Sequence, residues 1–209
     1  MSRSFADITF TPSVLAEQTH NGSAEHYASF LDPDEASGNR IGPAEKQFIS
    51  ERDGFYQATV SGNGWPYVQF RGGPRGFLRV MDEQTIAYAD YRGNRQYLST
   101  GNLRDDDRVS LILMDYPNRR RLKVWGRAKL IGAKEDALLL TKVKDPDYRA
   151  LPERIVVITI EALDWNCPQH IPQRLTVEEF DAQLKPIRIE MAQLRAENEA
   201  LKAKLRESE

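Results

Sequence analysis

The sequence predicts a mainly β (α+β) fold: an antiparallel β-barrel with a few short helices and a separate C-terminal helix. Two observations predict the barrel. About seven strand-like runs follow one another through short turns, and few helical patterns lie between them. This order favours a small closed antiparallel barrel over a doubly wound parallel sheet. A heptad pattern near the C-terminus predicts the separate helix.

The chain has 209 residues and a formal net charge of −2. The length suits one domain with appendages, which we divide into a wrapping segment (1–42), the barrel (43–175) and a C-terminal helix (176–209). The small net charge gives no reason to expect nucleic-acid or membrane binding. Because no apolar run approaches the ~20 residues that span a bilayer, and the N-terminus lacks a signal-peptide profile, we expect a cytoplasmic protein.

Cysteine and histidine are scarce. The single cysteine, Cys167, cannot form an intramolecular disulfide, which is consistent with a reducing compartment. The three histidines and Cys167 lack the spacing of metal ligands, so no metal is expected. Cys167 and His170 lie in a proline-flanked loop without an evident group to orient them, which does not favour nucleophilic catalysis.

The first elements are predicted from turn and capping residues. Residues 1–42 are polar and turn-rich and are expected to wrap the surface, with a short helix near Thr11–Gln18. Pro43 suits the first turn of a helix, which continues over Ala44–Arg52 and stops at Asp53-Gly54. The proline therefore marks the boundary between the wrapping segment and the barrel.

Strands follow. Gly62-Asn63-Gly64 between Phe55–Ser61 and Trp65–Phe70 predicts a tight hairpin, because Asn and Gly accept left-handed backbone conformations. The later elements, in chain order, are strands Phe77–Met81 and Thr85–Asp90, a helix Arg95–Leu103, strands Val109–Tyr116 and Leu122–Ile131, a helical stretch Lys134–Lys144 and a last strand Arg154–Leu163.

The tail carries apolar residues three and four apart, interrupted once by a polar residue. The pattern consists of Leu184, Ile187, Met191, Leu194, Asn198, Leu201 and Leu205. Asn198 falls at an a position, where a buried amide favours a parallel pair, and Glu190 and Glu197 precede Arg195 and Lys202 at the g-to-e spacing of such a pair. Pro186 is expected near the helix start, where it is tolerated. The alternative is an amphipathic helix lying on its own barrel.

Two bends rich in glycine and arginine, at 71–76 and 92–95, lie at the ends of strand-like runs. Arginine offers a planar fork of donors to phosphate oxygens, and glycine lets backbone approach a ligand closely. One such bend is typical of a solvated turn. The pair indicates a pocket for a phosphorylated planar cofactor. The run at 119–121 suggests nucleic acid, but alternate strand residues face opposite sides, so a hairpin turn is favoured.

Four blocks in this order resemble the pyridoxamine 5'-phosphate oxidase-like family of FMN-binding split barrels, over about Pro43 to Arg174, and within it a flavin-nucleotide-binding branch. The blocks are QFRGGPRGFL from Gln69, DYRGNRQY from Asp90, DYPNRRRLKVWGRA from Asp115 and DWNCPQHIPQR from Asp164. Authentic pyridoxamine phosphate oxidases carry an arginine- and histidine-rich C-terminal element and a basic residue where this chain has Gln96. Vitamin B6 oxidation is therefore not the predicted activity.

The resemblance implies an antiparallel split β-barrel that forms a homodimer with FMN at the subunit interface. It assigns the flavin ring to Val68, Gln69 and Phe70, and the ribityl chain to Tyr91. It assigns the phosphate to Arg71, Asn94, Arg95 and Gln96, with Gly72 beside them. It also places Arg121, Lys123 and Trp125 near the flavin of the same or the partner subunit, and His170, Gln173 and Arg174 on the substrate side.

The expected function is flavin-mediated hydride or electron transfer on an unidentified small molecule, with no catalytic residue identified. The alternative is a non-catalytic flavin-binding redox sensor or cofactor store. A third possibility keeps the barrel and exchanges FMN for haem or a deazaflavin.

Overall fold

A computed structural model describes residues 2–32, 38–165 and 168–207. These residues divide into two compact units. The first unit comprises residues up to 115 together with 119–169, and the second comprises 116–118 and the residues from 170 onward. Cys167 lies outside the described residues.

Seven strands of the first unit form one antiparallel sheet in the order β2-β1-β5-β6-β7-β4-β3. Their bounds are β1 Gly54–Val60, β2 Pro66–Gly72, β3 Arg79–Val80, β4 Thr85–Tyr91, β5 Arg108–Asp115, β6 Arg120–Gly132 and β7 Pro152–Trp165. The sheet and its helices confirm the predicted mainly β, α+β class. The backbone pairing order ends at β2 and β3, and closure into a barrel stays a prediction.

Helices precede, interrupt and follow the sheet. They are α1 Arg3–Thr9, α2 Pro12–His20, α3 Ala24–Tyr27, α4 Pro43–Ser50, α5 Leu98–Asp105, α6 Ala137–Val143 and α7 Val177–Glu207, with one 3-10 turn at Ala28–Leu31. The predicted helices near Thr11–Gln18 and after Pro43 are confirmed. Each begins with proline at its first turn, and the Thr11 hydroxyl caps α2 by accepting from the Val14 amide at 3.4 Å.

The hairpin predicted at Gly62-Asn63-Gly64 is confirmed. Gly64 has a φ of +87°, a conformation that few other residues adopt, and β1 pairs with β2 from Val60↔Pro66 onward. This register places Gln57 opposite Gln69 and Phe55 opposite Arg71. Gln69 and Arg71 therefore share the inner face of the sheet with the core.

The core contains a cluster of three aromatic rings. Phe55 stacks on Phe77 at 5.5 Å, and the Tyr88 ring meets Phe55 edge-on at 5.3 Å. The Tyr88 hydroxyl donates to Gln57 Oε1 at 2.6 Å, and both residues are fully buried. Burial raises the pKa of the Tyr88 phenol far above its ordinary value; the charge of Arg71 lowers this pKa and that of Asp90 raises it, both by less than burial does.

Side chains connect the two ends of the sheet. Four strands lie between β2 and β4 in the pairing order, yet the Arg71 guanidinium of β2 is 2.6 Å from the Asp90 carboxylate of β4. The Gln57–Tyr88 hydrogen bond likewise joins β1 to β4. The sheet must curve strongly for these contacts to form.

The N-terminal segment packs on the outer face of the sheet. Phe5 of α1 is buried and meets the Trp125 ring of β6 edge-on at 5.2 Å. The Phe10 ring contacts the rings of both Phe5 and Tyr27, with centroid distances of 5.9 and 5.8 Å, so aromatic contacts connect α1 to α3. These contacts stabilise the N-terminal segment against the sheet through burial of aromatic surface.

Two expectations about helices are wrong. Helix α5 begins at Leu98 rather than Arg95, because Arg95 and Tyr97 both take left-handed backbone conformations, with φ of +65° and +54°. Pro186 lies in the interior of α7, since the helix begins at Val177. In the described part of the chain, no helix is both long and apolar enough to span a membrane.

Gly126→Ala should destabilise the protein by about 1–3 kcal/mol, because an added Cβ would overlap the Thr159 carbonyl oxygen and press on Ile158 in β7. The register of β6 and β7 shifts at this glycine. Gly101→Ala is the matched control: no atom lies within 4 Å of its added Cβ, and alanine favours the exposed α5 helix by up to about 1 kcal/mol. Urea unfolding measures the stability of both variants. Equal unfolding midpoints would contradict the close approach of the Gly126 backbone to β7.

Tyr88→Phe should lower the free energy of unfolding by about 1–3 kcal/mol, because it leaves the buried Gln57 amide without its hydrogen-bond donor. Adding Gln57→Leu should recover part of this loss, since the double variant buries no unpaired amide. Urea unfolding of the two variants tests the pair, and a further equal loss in the double variant would show that packing rather than the hydrogen bond matters.

The same substitution has a pH signature. The raised pKa of Tyr88 keeps its proton on the folded protein, whereas the unfolded chain releases it above about pH 10. Stability contributed by the protonated phenol is complete below that pH and is lost as pH rises towards the folded pKa. The difference in unfolding free energy between wild type and Tyr88→Phe should therefore shrink between about pH 9 and 11. A constant difference would contradict a buried, protonated phenol.

Candidate functional site

A cleft of about 220 Å³ lies at the ends of several elements of the first unit. Strands β2 and β4 supply one wall, the N-terminus of α5 another, and the start of β7 a third. Its polar lining includes Gln69, Arg71, Asp90, Arg95, Tyr97 and Arg154. The cleft therefore brings together residues from distant parts of the sequence.

Asp90 stands between two guanidinium groups. Arg71 and Arg154 each approach its carboxylate at 2.6 Å, and the Asp90 side chain is only 4% exposed. Arg154 also donates to the Thr100 hydroxyl of α5 at 3.0 Å. Hydrogen bonds from two cations offset the cost of burying this carboxylate and fix the orientation of both arginines.

Glu153 forms a second, more exposed network at the rim. Its carboxylate accepts from Arg92 at 2.9 Å and from the Tyr97 hydroxyl at 3.1 Å, and it pairs with Arg154 at 3.1 Å. The hydrogen bond from Arg92, followed by that from Tyr97, lowers the pKa of Glu153. The Arg154 guanidinium also lies 5.1 Å from the centre of the Tyr97 ring.

The loop before α5 is conformationally strained. Arg95 and Tyr97 adopt positive φ, and between them the Gln96 amide donates to Asn94 Oδ1 at 3.1 Å. The first amides of α5 lack an intrahelical acceptor, as they do in every helix, and the Tyr97 side chain does not cap them. Strain held in place by surrounding contacts is common at binding sites.

The donors of the cleft suit an anion such as a phosphate ester. Three guanidiniums and two carboxylates line it, which leaves a formal charge of +1. The Arg71 Nε is buried and has no hydrogen-bond partner among the described residues. Arg95 is exposed, and no ion pair involves it in the described part of the chain. The uncapped helix adds a favourable field for negative charge.

Six of the predicted cofactor residues meet in this cleft. They are Gln69, Arg71, Tyr91, Asn94, Arg95 and Gln96. Gly72 and Phe70 line an adjoining cavity of about 250 Å³ that shares Gln69 and Arg71 with the cleft. Val68 does not line either space, because strand alternation turns it, like the Phe70 ring, to the outer face of β2, where both are more than half exposed.

Arg121, Lys123 and Trp125 do not line the cleft within one chain. They lie on the outer side of β6, where Lys123 pairs with Asp164 at 3.3 Å and Trp125 packs against Phe5. The Arg121 Nε is buried without a hydrogen-bond partner among the described residues. Their predicted approach to a flavin bound by a partner subunit stays a prediction.

The substrate-side residues belong to the second unit. His170 is exposed and has a φ of +63°. Gln173 donates its amide to the Pro117 carbonyl at 2.8 Å, and the Arg174 guanidinium lies 5.0 Å from the Tyr116 ring. Their role towards a substrate stays a prediction.

Sequence reasoning did not identify Asp90, Glu153 and Arg154 as site residues. A signal for Asp90 was present, because strand alternation places its carboxylate on the same side as the apolar Ile86 and Tyr88. A carboxylate in an inward position needs a cation. That cation lies 64 residues away, at Arg154, and no local pattern connects the two.

Comparisons with known proteins place this architecture. No curated protein sequence matches the chain. Among solved structures it is similar to tagged HupZ of Group A Streptococcus, at 16% identity, covering 65% of this chain and 99% of that one, with a TM-score of 0.50. This likeness supports the same fold.

Two further similar structures are an FMN-binding protein of Syntrophomonas wolfei and general stress protein 26 of Bacillus anthracis. The first has 11% identity, covers 71% of this chain and 97% of its own, and gives a TM-score of 0.49. The second has 13% identity, covers 57% of this chain and 88% of its own, and gives a TM-score of 0.44. The family model described as pyridoxamine 5'-phosphate oxidase matches residues 41–164. Because this match spans more than half of the chain, the protein belongs to the pyridoxamine 5'-phosphate oxidase family.

Proposed function

We propose that this protein is an FMN-binding oxidoreductase that acts on a small molecule. One observation carries the proposal: the cleft joins three guanidiniums to an uncapped helix N-terminus, beside the strand that the family resemblance assigns to the flavin ring. A phosphate monoester carries close to two negative charges at neutral pH, which suits the surplus positive charge of this cleft.

The phosphate would bind at the mouth of the cleft. Arg95 is exposed and unpaired among the described residues, so it can form bidentate hydrogen bonds without breaking an existing ion pair. Arg154 is already oriented by Asp90 and Thr100, which reduces the entropy lost when a ligand binds. Arg71 serves mainly to hold Asp90 and to present its buried Nε.

The flavin ring would lie along β2. Ser99 donates its hydroxyl to Gln69 Oε1 at 2.9 Å, which orients the amide and leaves its NH₂ group to donate to a ring carbonyl. When bound, FMN supplies the hydride- or electron-transfer chemistry, and the protein supplies position and electrostatics. The pKa of Glu153 is lowered and that of Tyr91 is raised by burial, so both move away from neutrality.

A second copy of the chain would complete the site. The outer face of β1 and β2 exposes Tyr56, Val68 and Phe70, at 40%, 60% and 58% of their surface, and the Tyr56 and Phe70 rings contact each other at 5.4 Å. A contiguous exposed apolar face of this kind is typical of a protein interface. We propose that the homodimer forms here, with FMN at the subunit interface.

The second candidate function is a flavin-binding sensor or store without turnover. The lowered pKa of Glu153 and the raised pKa of Tyr91 support it, because both shifts lead away from a group that could exchange a proton near neutral pH. Mixing the FMN-loaded protein anaerobically with NADH or NADPH, and then with an electron acceptor, distinguishes the two. Repeated reduction and reoxidation of the bound flavin supports the enzyme, whereas a flavin that is bound but never cycles supports the sensor or store.

Arg95→Ala should weaken FMN binding by about 10–100-fold, because a charge-assisted hydrogen bond contributes about 1.5–3 kcal/mol. Riboflavin, which lacks the phosphate, should bind wild type and variant equally. Arg75→Ala is the matched control, since Arg75 is exposed and lies outside the cleft. Quenching of flavin fluorescence measures the affinity of all three proteins for FMN and for riboflavin. Equal losses for FMN and riboflavin would refute the phosphate assignment, and failure of wild type to bind FMN would refute the proposed function.

Val68→Glu should weaken FMN binding at least about tenfold if the site needs a second subunit, because a charge in an apolar interface is costly. Leu138→Glu is the control, since Leu138 is 82% exposed on α6, a helix that contacts β4 and β7. FMN affinity and the mass in sedimentation equilibrium are measured together. Unchanged FMN affinity for Val68→Glu would place the interface elsewhere.

A further inference from the structure

The C-terminal helix carries a longer apolar stripe than the sequence pattern alone indicated. Because α7 begins at Val177, the heptad extends back by one repeat to include Val177 at an a position and Phe180 at a d position. Four consecutive heptads therefore lie on one continuous helix. The stripe consists of Val177, Phe180, Leu184, Ile187, Met191, Leu194, Asn198, Leu201 and Leu205.

This stripe is exposed. Val177, Phe180, Ile187, Met191, Leu194 and Leu201 each expose between 48% and 72% of their surface. No described residue of α7 is buried. A long helix with an uncovered apolar stripe gains most of its stability from packing rather than from intrinsic propensity. Another helix with the same spacing would cover the stripe by inserting side chains between these residues.

We propose that α7 pairs in parallel and in register with α7 of a second copy of this chain. The charges flanking the stripe select this partner. In a parallel pair, Glu190 and Glu197 at g positions face Arg195 and Lys202 at the following e positions of the other helix. An antiparallel pair would instead bring g positions opposite g positions, so that glutamates face one another, and the basic e positions likewise.

Asn198 strengthens this choice. It occupies an a position towards the C-terminal end of the stripe, where its amide can pair with the same amide of an in-register partner. A shifted or antiparallel arrangement would bury the amide against apolar side chains and leave it unpaired. Asn198 therefore weakens shifted and antiparallel pairs more than it weakens the parallel, in-register pair.

Neither the Lys202 ion pair within α7 nor Pro186 competes with the pairing. Lys202 meets Glu199 within the helix at 3.0 Å, but both side chains are more than half exposed, and such pairs contribute little. Pro186 lies at a c position, facing away from the stripe, so its ring does not obstruct a second helix. The helix is continuous across the proline despite the lost backbone donor.

Pairing of α7 is a self-association contact independent of FMN and of the exposed face of β1 and β2. Where both contacts form within one dimer, the first raises the effective concentration for the second. The tail would then favour assembly of the cofactor site at low protein concentration. Its test must therefore report on the proximity of the two tails rather than on FMN binding or on total mass.

Symmetric disulfide formation in the full-length chain tests the pairing. In a Cys167→Ser background, Leu201→Cys places a thiol on the stripe and Ala203→Cys places one on the opposite side of the same helix. Under copper–phenanthroline oxidation, a parallel pair should cross-link Leu201→Cys at least about tenfold faster than Ala203→Cys. Equal rates would overturn the proposal. Slow cross-linking of Leu201→Cys would also overturn it, because an antiparallel pair holds the two 201 positions at opposite ends of the paired helices.

A matched pair of isoleucines provides the second test. Ile187 lies on the stripe and Ile189 on the outer side of the helix, and both are 52% exposed. Ile187→Glu should slow the cross-linking of Leu201→Cys by about tenfold or more, because it places charges opposite one another in the apolar contact. Ile189→Glu should leave the rate unchanged. If both substitutions act equally, the stripe does not hold the helices together.

Discussion

The ion pair between Arg71 and Asp90 is the contact on which the geometry of this protein depends. It joins β2, at one end of the sheet, to β4, near the other end, where backbone hydrogen bonds do not connect the two. The buried Gln57–Tyr88 hydrogen bond likewise joins β1 to β4. Polar side chains on the inner face thus maintain the curvature of the sheet, and the cleft exists because these ends meet.

The same ion pair explains the electrostatics of the cleft. Asp90 is one buried carboxylate shared by Arg71 and Arg154, so its negative charge cannot offset both. Glu153 is likewise divided between Arg92 and Arg154. With Arg95 at the mouth, positive charge remains that the chain itself does not neutralise. A bound anion would relieve this repulsion, which is the physical reason for expecting one.

Features that depend on neighbouring residues could be predicted from the sequence. The Gly62-Asn63-Gly64 hairpin, the helix after Pro43 and the succession of strands follow from turn chemistry, capping and alternation within a few residues. The two short bends indicated a phosphate pocket through their own arginine and glycine signals, and the family resemblance then assigned the six predicted residues that line the cleft. The error at the start of α5 has a local cause too, since left-handed Arg95 and Tyr97 break a pattern that reads as helical.

The remainder depends on contacts between distant residues. Arg154 is 64 positions from Asp90 and Arg71 is 19 positions from it, and only the completed sheet brings the three together. A ligand that bridges Arg95, Arg154 and β2 would consequently bind the folded chain and not the unfolded one, and so stabilise the curved sheet. The cofactor site and the junction between the two ends of the sheet are therefore one structure. A change that weakens the junction should weaken ligand binding even where it touches no ligand atom.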